Sequence, residues 1–156
     1  MIQRIQSVYL VLAALAVFSV FLVDIAHFTD AAGNDSMLGL YRLKLANGEL
    51  KSVSASLLPI LILSFAGALQ LFSIFAYRNR RRQMQLVRFS YIALILGVGS
   101  IWYFTDQNYW SLQLAEPDLS YRAGFYLPFV SFAFAWLANR AIRNDEELVK
   151  SLDRLR

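Results

Sequence analysis

The side chains that most often carry chemistry are scarce here. In 156 residues there is one histidine, His27, and no cysteine. Without cysteine the chain has no disulfide, no thiolate metal site, no thiol nucleophile and no CxxC redox pair. A single histidine cannot supply both axial ligands to a haem held between helices. Asp24, His27, Asp30 and Asp35 fall in one stretch. Their spacing fits no metal-ligand pattern and Ala31 to Asp35 reads as a loop, so they are expected to be solvated acids. Glu116 and Asp118 flank Pro117; as a catalytic pair they lack a third group to orient them, and ordinary surface charge is the simpler reading. A lipid-modifying enzyme would have only His27 with Asp24 to use near a membrane surface. The expectation is a protein that is not an enzyme and carries no cofactor and no metal.

What must position these residues is a set of apolar blocks. Hydrophobic residues make up 58% of the chain and charged residues 17%, against about 45–50% and about 25% in soluble domains. The mean hydropathy is +0.46. The apolar residues lie in four blocks, at 5–23, 57–77, 89–105 and 123–139. Each can cross a hydrocarbon layer of about 30 Å as a helix, the last two with help from flanking Arg88 and Arg140, whose heads snorkel to water. Backbone polar groups in lipid must be satisfied within the segment, which requires helices. The first block opens on Arg4 as a signal peptide would. Its apolar run is long for that role and no small-x-small site follows closely, so it is read as a retained helix. Too little chain remains for a separate catalytic domain.

The basic residues set a direction. Arg4, the loop 78–88 and the segment 140–156 hold eleven of the fifteen Lys and Arg residues, whereas the loops 24–56 and 106–122 hold four of them and seven of the eleven acids. The positive-inside rule then places both termini and the 78–88 loop in the cytoplasm, and the other two loops in the periplasm, across an inner (cytoplasmic) membrane. Arg78, Arg80, Arg81, Arg82 and Arg88 are the topology determinants, and they also attract anionic lipid headgroups at about 1 kcal/mol per basic residue. This placement explains the net charge of +4 through the lipid bilayer as partner, not nucleic acid. Trp102, Tyr103, Tyr109, Trp110, Tyr121 and Tyr126 cluster at the outer ends of the last two blocks, as an interfacial aromatic belt would.

The blocks hold no ionisable residue away from their ends, which argues against proton-coupled transport. Gln70 is the one strongly polar side chain well inside a block. It is expected to make an interhelical hydrogen bond; recognition of a substrate is the competing reading. Ser64 and Ala68, Ala93 and Gly97, and Ser131 and Ala135 are each four residues apart, a spacing that lets helices approach closely. Ser64, Gln70, Ala93, Gly97, Ser131 and Ala135 are therefore the candidate helix–helix contacts.

In the first outer loop, residues 40–53 read as a short β-hairpin with a two-residue turn at Asn47-Gly48. That register sets Leu45 opposite Leu50 and Lys44 opposite Lys51. The second outer loop is expected to turn and re-enter the bilayer. Residues 140–156 form an amphipathic helix in which Leu148, Leu152 and Leu155 recur at helical spacing, and these leucines are the candidate partner-docking positions. Whether this helix prolongs the fourth span, lies on lipid or docks on protein is left open by the residues alone.

The opening Met1-Ile-Gln-Arg-Ile-Gln-Ser-Val-Tyr-Leu10, the basic Tyr77-Arg-Asn-Arg-Arg-Arg82 and the closing stretch from Leu137 to Arg156 resemble the small integral membrane proteins of Bacteroidetes called domain of unknown function 4293. The resemblance covers essentially the whole chain. It implies four helices in the inner membrane of a Gram-negative bacterium, and it brings no activity or catalytic residue. The expected fold is an all-α membrane protein: a four-helix transmembrane bundle over 1–139, both ends inside, with the short hairpin outside and the cytoplasmic helix 140–156. The expected role is a non-enzymatic subunit or assembly factor of a membrane complex, with a membrane-protein partner or a second copy of itself. A small transporter or channel for an apolar or lipid-like solute is the alternative.

Overall fold

A computed structural model describes residues 3–29, 33–52, 57–111 and 118–154. The apolar blocks are helical. Helix α1 spans Gln3–Ser19, α2 Leu57–Phe75, α3 Arg80–Ser111 and α4 Ala123–Arg154. Three apolar stretches, Leu57–Phe75, Arg80–Trp110 and Ala123–Leu148, are long enough to cross a membrane, and a shorter one runs from Ile5 to Ser19. Past Ser19 the first helix tightens into i→i+3 bonds, with the amides of Val20, Phe21 and Leu22 donating to the carbonyls of Val17, Phe18 and Ser19. This turn carries the chain to Leu22, near the expected end of the block.

The boundaries of the third helix have a local cause that apolar periodicity does not reveal. After α2 the chain makes a 3-10 turn over Ala76–Arg78 and extends at Asn79. The Asn79 side-chain oxygen accepts the Arg82 amide at 3.2 Å, and its carbonyl accepts the Gln83 amide at 3.0 Å. Asn79 is thus the N-cap of α3, so the arginine run expected as a loop forms the helix's opening turns. At the other end α4 continues without a break to Arg154, with Pro128 inside its second turn. The C-terminal amphipathic segment is therefore an extension of the fourth block and not a separate helix.

The all-α expectation is corrected by a five-stranded antiparallel sheet. Strands β1 Ala26–Thr29, β2 Asp35–Leu38, β3 Arg42–Lys44, β4 Leu50–Ser52 and β5 Asp118–Tyr121 are ordered β4-β3-β2-β1-β5. The expected hairpin is present as β3–β4, in a different register: Lys44 pairs with Leu50 and Leu43 with Lys51. The Gly48 amide donates to the Leu45 carbonyl and the Leu45 amide to the Glu49 carbonyl, both at 2.9 Å. Gly48 has φ +83. This is a three-residue turn with glycine in the left-handed region, and the added residue removes the lysine–lysine apposition. β5 comes from the second outer loop and pairs along the whole of β1, from Ala26–Tyr121 to Thr29–Asp118. The connections 24–56 and 106–122 therefore meet in one sheet at one end of the helices.

Packing follows from that closure. α1 lies against α2 and α4, and α3 against the same two helices. The larger core joins the sheet to the helix ends, with Ile25, Phe28, Leu38 and Leu43 packed with Val17, Leu63, Ile101 and Phe104. A second core of Leu10, Ala13, Val87, Ala135, Ala138 and Ile142 lies among α1, α3 and α4 toward the opposite end.

Candidate functional site

Three polar sites stand out, and each is assembled from residues distant in sequence. The first is inside the helices. Gln70 is fully buried, and its Nε2 donates to Ser131 Oγ at 3.0 Å. Two of the candidate helix-contact residues are thus brought together, α2 to α4. Ser73 Oγ donates to the Gln70 carbonyl at 2.7 Å. Ala93, Gly97 and Ala135 are buried, whereas Ser64 is half-buried. Gly97 faces α2, where an added Cβ would stand 2.7 Å from Leu63 Cδ2. The Ala135 carbonyl accepts the Tyr91 hydroxyl at 3.1 Å. Gly67 was not singled out from the sequence, yet a Cβ there would stand 2.6 Å from the Phe18 ring. Its only sequence signal is a glycine within a helix of leucine and alanine.

The second site lies in the sheet. His27 on β1 is 9% exposed, and its Nδ1 is 2.8 Å from an Arg122 guanidinium nitrogen. Arginine only donates, so Nδ1 is the acceptor in this contact. Nε2 approaches Asp35 Oδ1 at 3.4 Å without hydrogen-bond geometry, so that contact is electrostatic. Asp35 instead accepts Thr29 Oγ1 at 3.0 Å. Asp35 is thus part of a strand pair and not of a loop, yet it is exposed, as expected of a solvated acid, while Asp30 lies outside the described residues. Among the described residues no group of acids and histidine is arranged to hold a metal. On β5, burial, joined by the Asp106 carboxylate and Tyr126, pushes the Tyr121 phenol above the ordinary tyrosine range.

The third site is at the end away from the sheet, where four helix segments converge. Arg80, in the first turn of α3, reaches α4: Nη2 is 3.0 Å from Asp145 Oδ2, and Nη1 donates to the Asp145 carbonyl at 2.9 Å. Gln6 of α1, 4% exposed, donates to the Ala141 carbonyl at 3.3 Å. Together with Phe75, Tyr77 and the buried Gln83, these side chains line a cavity of about 420 Å³. The arginines grouped together by sequence are therefore divided by structure. Arg80 is half-buried and paired, while Arg81, Arg82 and Arg88 are exposed. The Arg78 side chain lies outside the described residues. Asp145, Gln6 and Gln83 were missed, since nothing in a linear reading shows that they meet Arg80. The one available signal was glutamine recurring next to apolar positions. Of the leucines proposed for docking, Leu148 is 53% exposed; the Leu152 side chain and Leu155 lie outside the described residues.

These features define a mostly helical protein with three helices apolar and long enough for a membrane and a sheet closing one end. Residues 2–155 match the family model described as Domain of unknown function (DUF4293). The chain belongs to that family, the one its terminal segments resemble. No curated protein matches the chain.

Proposed function

We propose that this protein is a four-span inner-membrane protein, with both ends and the arginine-rich turn in the cytoplasm, that serves without catalysis as a subunit or assembly factor of a membrane complex. The observation that carries this reading is the contrast between the two ends. The sheet end is built into the helices through a shared core. At the other end α4 continues to Arg154, past its contact with Arg80, with Glu147 and Leu148 exposed. A helix of mixed charge, with Arg143, Asp145, Glu146, Glu147 and Lys150, suits a protein partner better than lipid, because membrane-lying helices are dominated by Lys and Arg. A transport reading has less support, since the buried glutamine that would recognise a solute is engaged with Ser131.

Removing residues 149–156 tests the role while keeping Asp145 on Arg80. Gentle detergent extraction of a tagged full chain is expected to recover a stoichiometric membrane partner that the truncated chain loses. Recovery of both chains as lone monomers under several mild detergents would overturn the proposal.

A further inference from the structure

The cavity at the arginine-rich end has a composition that selects one kind of ligand. It sits where the apolar sequence of α2 stops, between Phe75, which ends that helix, and Arg80, which begins the next. Phe75 is 77% exposed and Tyr77 54% exposed on the outer surface, so the mouth adjoins a face fit for acyl chains, while Tyr77 is the type of ring that favours the headgroup level. The lining is mostly apolar, and the polar side chains set into it carry both signs of charge. Arg80 and Asp145 are held together at 3.0 Å with side chains 28% and 14% exposed. Their mutual contacts use one hydrogen on each terminal guanidinium nitrogen and one carboxylate oxygen. A guanidinium has five N–H donors and a carboxylate about four acceptor sites, so both retain capacity. The Gln6 amide donates to Ala141 and keeps its oxygen as an acceptor.

A simple anion would meet the Asp145 carboxylate, and a simple cation would meet the Arg80 guanidinium. A phosphate diester bearing a primary ammonium two carbons away satisfies both: phosphate on Arg80, ammonium on Asp145 with the glutamine oxygens. A trimethylated ammonium has no N–H to give these acceptors and is recognised instead by aromatic cages. We propose that this cavity binds the headgroup of an aminophospholipid of the phosphatidylethanolamine type, which ties α1, α3 and α4 to the cytoplasmic leaflet. This rests on the membrane reading above and adds a ligand to it. The exposed arginines around the site attract anionic lipid non-selectively, so selectivity for the amine is the discriminating property.

The full chain, purified in detergent, would be equilibrated with equal amounts of phosphatidylethanolamine, phosphatidylglycerol and phosphatidylcholine, and retained lipid counted by native mass spectrometry. Wild type is expected to retain the ethanolamine lipid roughly tenfold over either competitor, the scale of a charge-assisted hydrogen bond. Asp145→Asn is expected to bring the ethanolamine-to-glycerol ratio to about one. Gln83→Leu leaves the ion pair in place and is expected to lower that ratio roughly threefold, with helicity by circular dichroism confirming the fold in both variants. Glycerophosphoethanolamine at millimolar concentration is expected to leave the bound lipid in place. Equal retention of all three lipids by wild type, or an unchanged ratio in a folded Asp145→Asn or Gln83→Leu chain, would overturn the proposal. Displacement by the water-soluble headgroup would overturn it in favour of a soluble aminophosphate ligand. A chain recovered in the aqueous fraction without detergent would instead defeat the membrane reading.

Discussion

Gln70 shows how one polar side chain in an apolar setting is used. Its amide has Ser131 as a partner at 3.0 Å, so replacing it with leucine removes an α2–α4 link while adding an apolar group of similar size. The expected loss is about 0.6–2 kcal/mol, the range for such bonds in membrane proteins, read as a lower midpoint of detergent-induced unfolding. Loss of far more would mean that the site orders other groups. A different residue-scale effect is expected at Tyr121, whose phenol is pushed upward by burial and then by Asp106 and Tyr126. A raised value means that the folded chain holds this proton more tightly than the unfolded chain. Its contribution is therefore intact below the unfolded tyrosine value of about 10 and is lost as pH rises from there through the folded value. The unfolding midpoint should fall above about pH 10, and less so in Tyr121→Phe. An equal fall in that variant would assign the effect to other groups.

The elements depend on caps and close approaches more than on apolar length. Asn79 caps α3, which begins at Arg80, nine residues before the expected apolar start at 89, because the Asn79 side chain takes an amide that the helix leaves unpaired. The α4 entrance shows a backbone constraint. The Gly124 amide donates to the Asp24 carbonyl at 3.0 Å, and a Cβ on Gly124 would stand 2.7 Å from that oxygen. Gly97 is equally close to a neighbour, but that neighbour is the tip of the Leu63 side chain, which can rotate. Gly124→Ala is therefore expected to destabilise by about 1–3 kcal/mol, and Gly97→Ala by less. Chemical or thermal unfolding in detergent would check the order, and the reverse order would show that the sheet does not lock α4 in place. At this scale the sequence exposed the β3–β4 hairpin through Asn47-Gly48 but not its register. The distinction between a two- and a three-residue turn lies in backbone angles that the same dipeptide serves in both cases.

Taken as a whole, the molecule is directional. Pairing of β1 with β5 fixes the connections 24–56 and 106–122 at one end, and the Arg80–Asp145 contact draws the C-terminal part of α4 to the other. Because the chain has no cysteine, single cysteines can report on each end. Under the proposed orientation, Asn47→Cys and Ser120→Cys are expected to react with an impermeant maleimide in cells whose outer membrane alone is opened, and Arg81→Cys only after lysis. Labelling of Arg81→Cys together with the other two before lysis would reverse or abolish the topology. The same directionality gives the cavity at the arginine-rich end its setting, beside apolar helix on one hand and basic chain on the other.

Sequence alone determined the quantities that add along the chain. Four apolar helical blocks, the asymmetry of charge between the connections, and the family itself follow from composition and order, because each depends on residue type within a short window. Tertiary structure decided what depends on pairs. It recruited β5 to β1, made Asp35 and Arg122 neighbours of His27, separated Arg80 from the other arginines, and gave it Asp145, 65 positions away. No local window contains both members of such a pair, and a hydrogen bond or ion pair exists only where two chain segments are held within about 3 Å of each other.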